Sequence, residues 1–274
     1  MKKNKSLLLS GPYILWMLVF TLIPLGVVAY YAMTDPQTGA FTCSNIKQLG
    51  LYMPVLGQSA WYSLISAVIC LILGYPVAYF IAHRKPAAQK FLYMLVMLPM
   101  CMSFLLRTLA WVGLLQDTGI INNLLAAVGL PRLQLIRTPG AVILGMVYNY
   151  LPYMILPLYA IIVKIDRRLI EAAEDLGCSS VKVFSKVILP LSMPGILTGM
   201  TMVFVPAVST FYISNKMGST DTVLIGDIIE RQFKQGDNAN MGAALSLLLM
   251  LLVFVCTGII NRFGGNDEEG TVIV

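Results

Sequence analysis

The chain has 274 residues, 58% of them hydrophobic and only 12% charged. A soluble domain carries about 25% charged residues, so this composition excludes a globule covered by water. The net charge of +6 follows the loops between apolar segments, a pattern of membrane topology, and no nucleic-acid partner is expected.

A bilayer core about 30 Å thick needs roughly 20 apolar residues in helix to cross it. Six segments reach that length, at 12–33, 61–81, 91–115, 141–163, 194–214 and 242–260. They predict an all-α polytopic membrane protein with six transmembrane helices, forming a single domain over 1–274. With the N-terminus inside, the inner segments hold twelve Lys and Arg and the outer segments six. That excess predicts that both termini are cytoplasmic.

The first segment follows Lys2, Lys3 and Lys5, as a secretory signal would. Its apolar run exceeds an h-region and no small-x-small cleavage site follows it, so it is read as a retained helix. Along the six segments, Pro24, Pro76, Pro99, Pro152, Pro157 and Pro206 are expected to break the helices, because each removes a backbone donor. The outer loops 34–60, 116–140 and 215–241 each leave room for a short helix.

Arg107 is the only charge within the six segments. It lies sixteen residues beyond Phe91, roughly 24 Å along a continuous helix. This places it near the outer face, where it snorkels to the interface or pairs with Asp117. Its expected role is gating or structural.

Candidate pathway groups are polar or aromatic residues next to helix prolines. Tyr148, Asn149 and Tyr150 precede Pro152, while Ser209, Thr210 and Tyr212 follow Pro206. Hydroxyls, amides and ring faces hold an ammonium weakly, by about 0.5–2 kcal/mol per ring contact. The same groups also serve as interhelical hydrogen-bonding partners, and spacing alone leaves both roles open.

The inner loop 164–190 is the longest on its side. Asp166 is placed to cap a helix of about ten residues that ends at Gly177, where a left-handed conformation is expected. Leu169, Ala172, Ala173 and Leu176 form its apolar stripe. Ser180 is expected to cap a second helix that stops before Pro190. A docking element and a hairpin lying on the membrane surface both fit this pattern.

Other chemistry is sparse. No G-x-x-x-x-G-K-[ST] run occurs, so the phosphate cradle of a P-loop ATPase is missing from this sequence. The apolar segments hold no Asp or Glu, which gives no support to a proton relay. Cys43, Cys70, Cys101, Cys178 and Cys256 form no C-x-x-C pair, and His83 is the single histidine, so no metal site is expected. The acidic tail Asp267, Glu268 and Glu269 is read as a solvated end.

Glu171, Ala172 and Ala173, then Gly177, then Ile188, Leu189 and Pro190 resemble the EAA signature of binding-protein-dependent ABC importer permeases. Cys178 stands where that family usually has alanine. Residues 103–108, 150–159 and 242–246 further resemble permeases of spermidine/putrescine importers, and the likeness covers most of the chain from about Phe91 onward. The resemblance implies a type I importer permease fold in the bacterial cytoplasmic (inner) membrane, working by alternating access. It implies that Glu171, Ala172, Ala173 and Gly177 belong to a coupling helix seated in an ATPase subunit. It also implies an ATPase dimer, a second homologous permease and an extracytoplasmic binding protein as partners, with a polyamine as substrate and lipid around the helices. This chain itself then needs no cofactor, since ATP and Mg are bound by the ATPase partner. Two alternatives stand beside this reading: an importer for another small solute, and a membrane scaffold or sensor that moves no solute.

Overall fold

The computed structural model describes residues 13, 15–35, 39–42, 44–234 and 238–263. Lys2, Lys3, Lys5, Pro12, Cys43 and the acidic tail Asp267, Glu268 and Glu269 lie outside the described residues. The described chain is built from helices: α1 (Leu15–Ala32), α2 (Ser44–Gln48), α3 (Met53–Ala82), α4 (Pro86–Met97), α5 (Phe104–Leu115) and α6 (Ile120–Ala127). Then follow α7 (Pro139–Ile162), α8 (Arg167–Asp175), α9 (Ser180–Leu191), α10 (Met193–Val208), α11 (Tyr212–Met217), α12 (Ile225–Lys234) and α13 (Ala239–Phe263). Five stretches are long and apolar enough to cross a membrane, or six if α9 and α10, bent by 63° at Ser192, count as one span.

Most prolines do not break their helices. Pro76 sits inside α3, and Pro152 and Pro157 sit inside α7. Pro24 follows a π-helical turn at Leu18–Leu22 and continues in helix. Pro190 is likewise accommodated, after a second π-turn at Phe184–Ile188, so the loop's second helix runs on to Leu191. A π-turn rearranges the backbone bonding locally, which lets a residue without a donor be absorbed. Ser180 is the first helical residue there, and Ser179 occupies the cap position without a side-chain cap bond.

Two expected spans are interrupted. The segment 91–115 divides into α4, a single 3-10 turn at Leu98–Cys101 containing Pro99, and α5, with Met102 and Ser103 extended between them. The segment 194–214 stops at Val208, two residues after Pro206, and resumes as α11 after Ser209, Thr210 and Phe211. Phe104 begins a stretch of span length that runs on to Ala127, and each break leaves backbone groups that packing must satisfy.

The chain divides into two compact units, Met1–Leu56 with Ile228–Leu252 and Gly57–Asp227 with Val253–Val274. In the first unit, buried Thr34 is the hub. The Asn240 side-chain amide donates to its carbonyl at 2.6 Å and Asn45 donates to the same oxygen at 3.0 Å. Ala32, Ala243 and Ala244 pack together beside this network.

In the second unit α7 lies against α10, and small residues set their separation. Gly195 and Gly199, four residues apart on α10, receive the Pro157–Ile161 turn and Met154 of α7 respectively. Met154 also meets Gly74 of α3, so one unbranched side chain fills the junction of three helices. Where lipid is as apolar as the core, such close approach supplies packing attraction that burial from water cannot. Tyr75 of α3 hydrogen-bonds with buried Ser192 at 2.8 Å, the hydroxyl at the 63° bend.

Candidate functional site

The loop helix α8 forms as its residues dictate. The Asp166 carboxylate accepts from the Arg168 amide at 3.0 Å, satisfying one donor left free at the helix start. At the other end Cys178 N donates to Ala173 O at 3.1 Å and Gly177 N to Glu174 O at 2.8 Å. These are the paired bonds of a Schellman ending, and Gly177 adopts φ +79° as that ending requires. Ile165, Ile170 and Ala173 are half-buried on the side toward the protein. Leu169, Ala172 and Leu176 point away, with Leu176 85% exposed. Glu171 and Glu174 are exposed beside them. The expected apolar stripe is therefore present but largely uncovered, and it is Ile170, outside that expectation, that seats the helix. A cavity of about 150 Å³ lies at its base, lined by Ile165, Arg167 and Ile170 together with His83, Gln89 and Ile188.

The candidate pathway residues separate into three environments. Tyr148 is part-exposed and its ring stands edge-on to Trp111 of α5 at 5.3 Å. Asn149 is 1% exposed and donates to Gly145 O at 2.9 Å, leaving its Oδ1 without a hydrogen-bond partner. Tyr150 and Tyr212 form the third environment, both next to Phe104, with ring centroids 6.5 and 6.2 Å from it. The Tyr150 hydroxyl donates to Pro206 O at 3.3 Å, and exposed Ser209 donates to Val205 O and to Pro206 O. Thr210 is buried at the break. Phe104 and Trp111 were not legible as site residues, because only the packing of α5 against α7 and α11 brings their rings to these tyrosines.

The surroundings of the break are tight. Gly226 of α12 packs so closely on it that an added Cβ would lie 2.5 Å from Thr210 O and 2.7 Å from Ser209 O. Ser59 accepts from Ile225 N at 2.8 Å and the Asp227 carboxylate from Leu224 N at 2.9 Å, fixing the start of α12 there.

Arg107 differs from its expectation. It is 7% exposed, its Nε and Nη1 have no hydrogen-bond partner, and Asp117 is exposed and unpaired with it. The interruption at Leu98–Ser103 makes Arg107 an early residue of a new helix, so the distance counted from Phe91 no longer applies. It faces the protein, between α5 and the helices packed on it, and does not snorkel.

Residues 74–264 match the family described as "Binding-protein-dependent transport system inner membrane component". The chain is 38% identical over 253 residues to the spermidine/putrescine transport system permease protein PotB of Haemophilus influenzae, covering 88% of each protein. In fold it is similar to a bacterial ABC transporter that imports the acidic polysaccharide alginate, with a TM-score of 0.79, 17% identity, and 99% of this chain and 100% of that chain covered. It is also similar to a bacterial alginate ABC transporter in complex with a pentasaccharide-bound periplasmic protein, with a TM-score of 0.75, 18% identity, and coverage of 97% and 96%. The all-α design, the interrupted spans and the type I importer permease fold agree with one another, and this chain belongs to the family of binding-protein-dependent transport system inner-membrane components.

Proposed function

We propose that the chain, as one permease domain over 1–274, is a subunit of an ATP-driven importer that translocates spermidine or putrescine by alternating access. The observation that carries the importer reading is α8, which presents Leu169, Ala172 and Leu176 outward behind a left-handed Gly177. An apolar stripe on a loop helix, flanked by Glu171 and Glu174, suits seating in an ATPase subunit better than solvent. The polyamine reading rests on the relative of 38% identity and on the chemistry of the Phe104, Tyr150 and Tyr212 group. Ring faces and the carbonyl end of α10 attract an ammonium weakly. The remaining parts of this reading are a dimer of ATPase subunits that binds ATP and Mg, a second homologous permease, a binding protein outside, and both termini in the cytoplasm.

The test is uptake of radiolabelled spermidine and putrescine by the complete complex in proteoliposomes, with and without internal ATP. ATP-dependent polyamine uptake that requires the binding protein is expected. Uptake of an anion and no polyamine would replace the substrate, and no ATP-dependent uptake of any solute would favour a scaffold or sensor. Removing the ring of Tyr212 is expected to lower the maximal rate more than it shifts the half-saturating concentration, since the binding protein sets affinity.

A further inference from the structure

Among the described residues Arg107 is the only buried lysine or arginine. Its guanidinium is a planar cation with five N–H donors and no acceptor. The helices packed most closely on α5 are α6, α7 and α11, and none of them contains an Asp or Glu. Nε and Nη1 have no acceptor. No Asp or Glu on those three helices offsets the Arg107 charge, and salt screens a buried charge poorly. The charge also lies near the start of α5, where the helix dipole adds to a positive potential. Phe104, three residues earlier and thus on the same face, is the ring next to both Tyr150 and Tyr212.

We propose that Arg107 is an ion-exclusion charge, which keeps the resting permease tight to potassium, sodium and hydronium ions. This inference rests on reading the Tyr150 and Tyr212 region as the pathway wall. Aromatic rings and carbonyls that let an ammonium pass would also let inorganic cations through, under a membrane potential that pulls them inward. A fixed positive charge in the wall opposes that entry, as in other selective pores. A polyamine feels the same field, but it moves during ATP-driven rearrangement of the walls, whereas a leaking ion meets the barrier at rest.

The experiment uses the complete complex in proteoliposomes without ATP or binding protein, under an imposed potential, and reads potassium flux. Arg107→Met is expected to raise the potassium leak about tenfold, the change expected from removing roughly 1.4 kcal/mol of repulsion. Arg107→Lys, which keeps the charge, is expected to stay near the wild-type leak. An Arg107→Met complex as tight as wild type overturns the proposal, and so does an equal leak through both variants. Should neither variant assemble, the wild-type complex still decides, because its residual permeability is expected to be greater for chloride than for potassium. The reverse order overturns the proposal. ATP-driven uptake is measured separately on the same vesicles, so failure of the polyamine reading is distinguishable from failure of ion exclusion.

Discussion

At the scale of single residues, Gly177 ties backbone conformation to the proposed coupling. Its φ of +79° costs an ordinary L-residue about 1–2 kcal/mol. An added Cβ would meet nothing within 4 Å, so the penalty lies in the backbone and not in a clash. Gly177→Val is expected to undo the Schellman ending and abolish substrate-stimulated ATP hydrolysis, while Gly177→Asn, which tolerates the left-handed region, keeps most of it. Equal activity of the two variants in the purified complex would show that the turn does not matter for coupling. This residue and Asp166 were legible in the sequence because a helix cap depends on neighbours within five positions. Arg107 was not, because its burial is decided by α7 and α11, which lie far along the chain.

At the scale of elements, the two interruptions carry the candidate pathway. Pro99 and Pro206 mark them, yet Pro24, Pro76, Pro152 and Pro157 are absorbed into helix. A proline therefore marks where a helix can yield, and packing selects which sites do. The Ser209–Phe211 break is held from outside by Gly226, whose position leaves no room for a Cβ against two backbone carbonyls. Gly226→Ala is expected to destabilise the solubilised complex by about 1–3 kcal/mol, as overpacking does, and to lower transport. Gly113→Ala, where an added Cβ meets nothing within 4 Å, serves as the control and is expected to leave the thermal midpoint unchanged. A Gly226→Ala midpoint equal to that of the control would mean the break is not clamped there.

At the scale of the whole molecule, the distribution of Lys and Arg predicts a side for every loop. Single cysteines at exposed Asp117 or Asp221, in an otherwise cysteine-free chain, are expected to react with an impermeant thiol reagent added outside intact cells. A cysteine at exposed Glu174 is expected to react only after the membrane is opened. The opposite pattern would invert the topology and place α8 on the side away from ATP. The side of α8 fixes which partners can reach its uncovered stripe, so this labelling is the natural first experiment.

The sequence by itself determined the class of the molecule and its α8 element. Apolar length, charge asymmetry, the Asp166 cap and the Gly177 ending are local or additive properties, and they survive without knowing what packs on what. The α7–α10 seam was also written in the sequence, in Gly195 and Gly199, but small residues four apart are common, and only the facing Met154 and Ile161 give them meaning. Tertiary structure alone decided which prolines interrupt their spans, that Phe104 lies next to both Tyr150 and Tyr212, and that Arg107 is buried with no hydrogen-bond partner for its Nε and Nη1. Each depends on residues tens of positions apart meeting in space. Pairwise packing energies set such meetings, and periodicity along one helix cannot encode them.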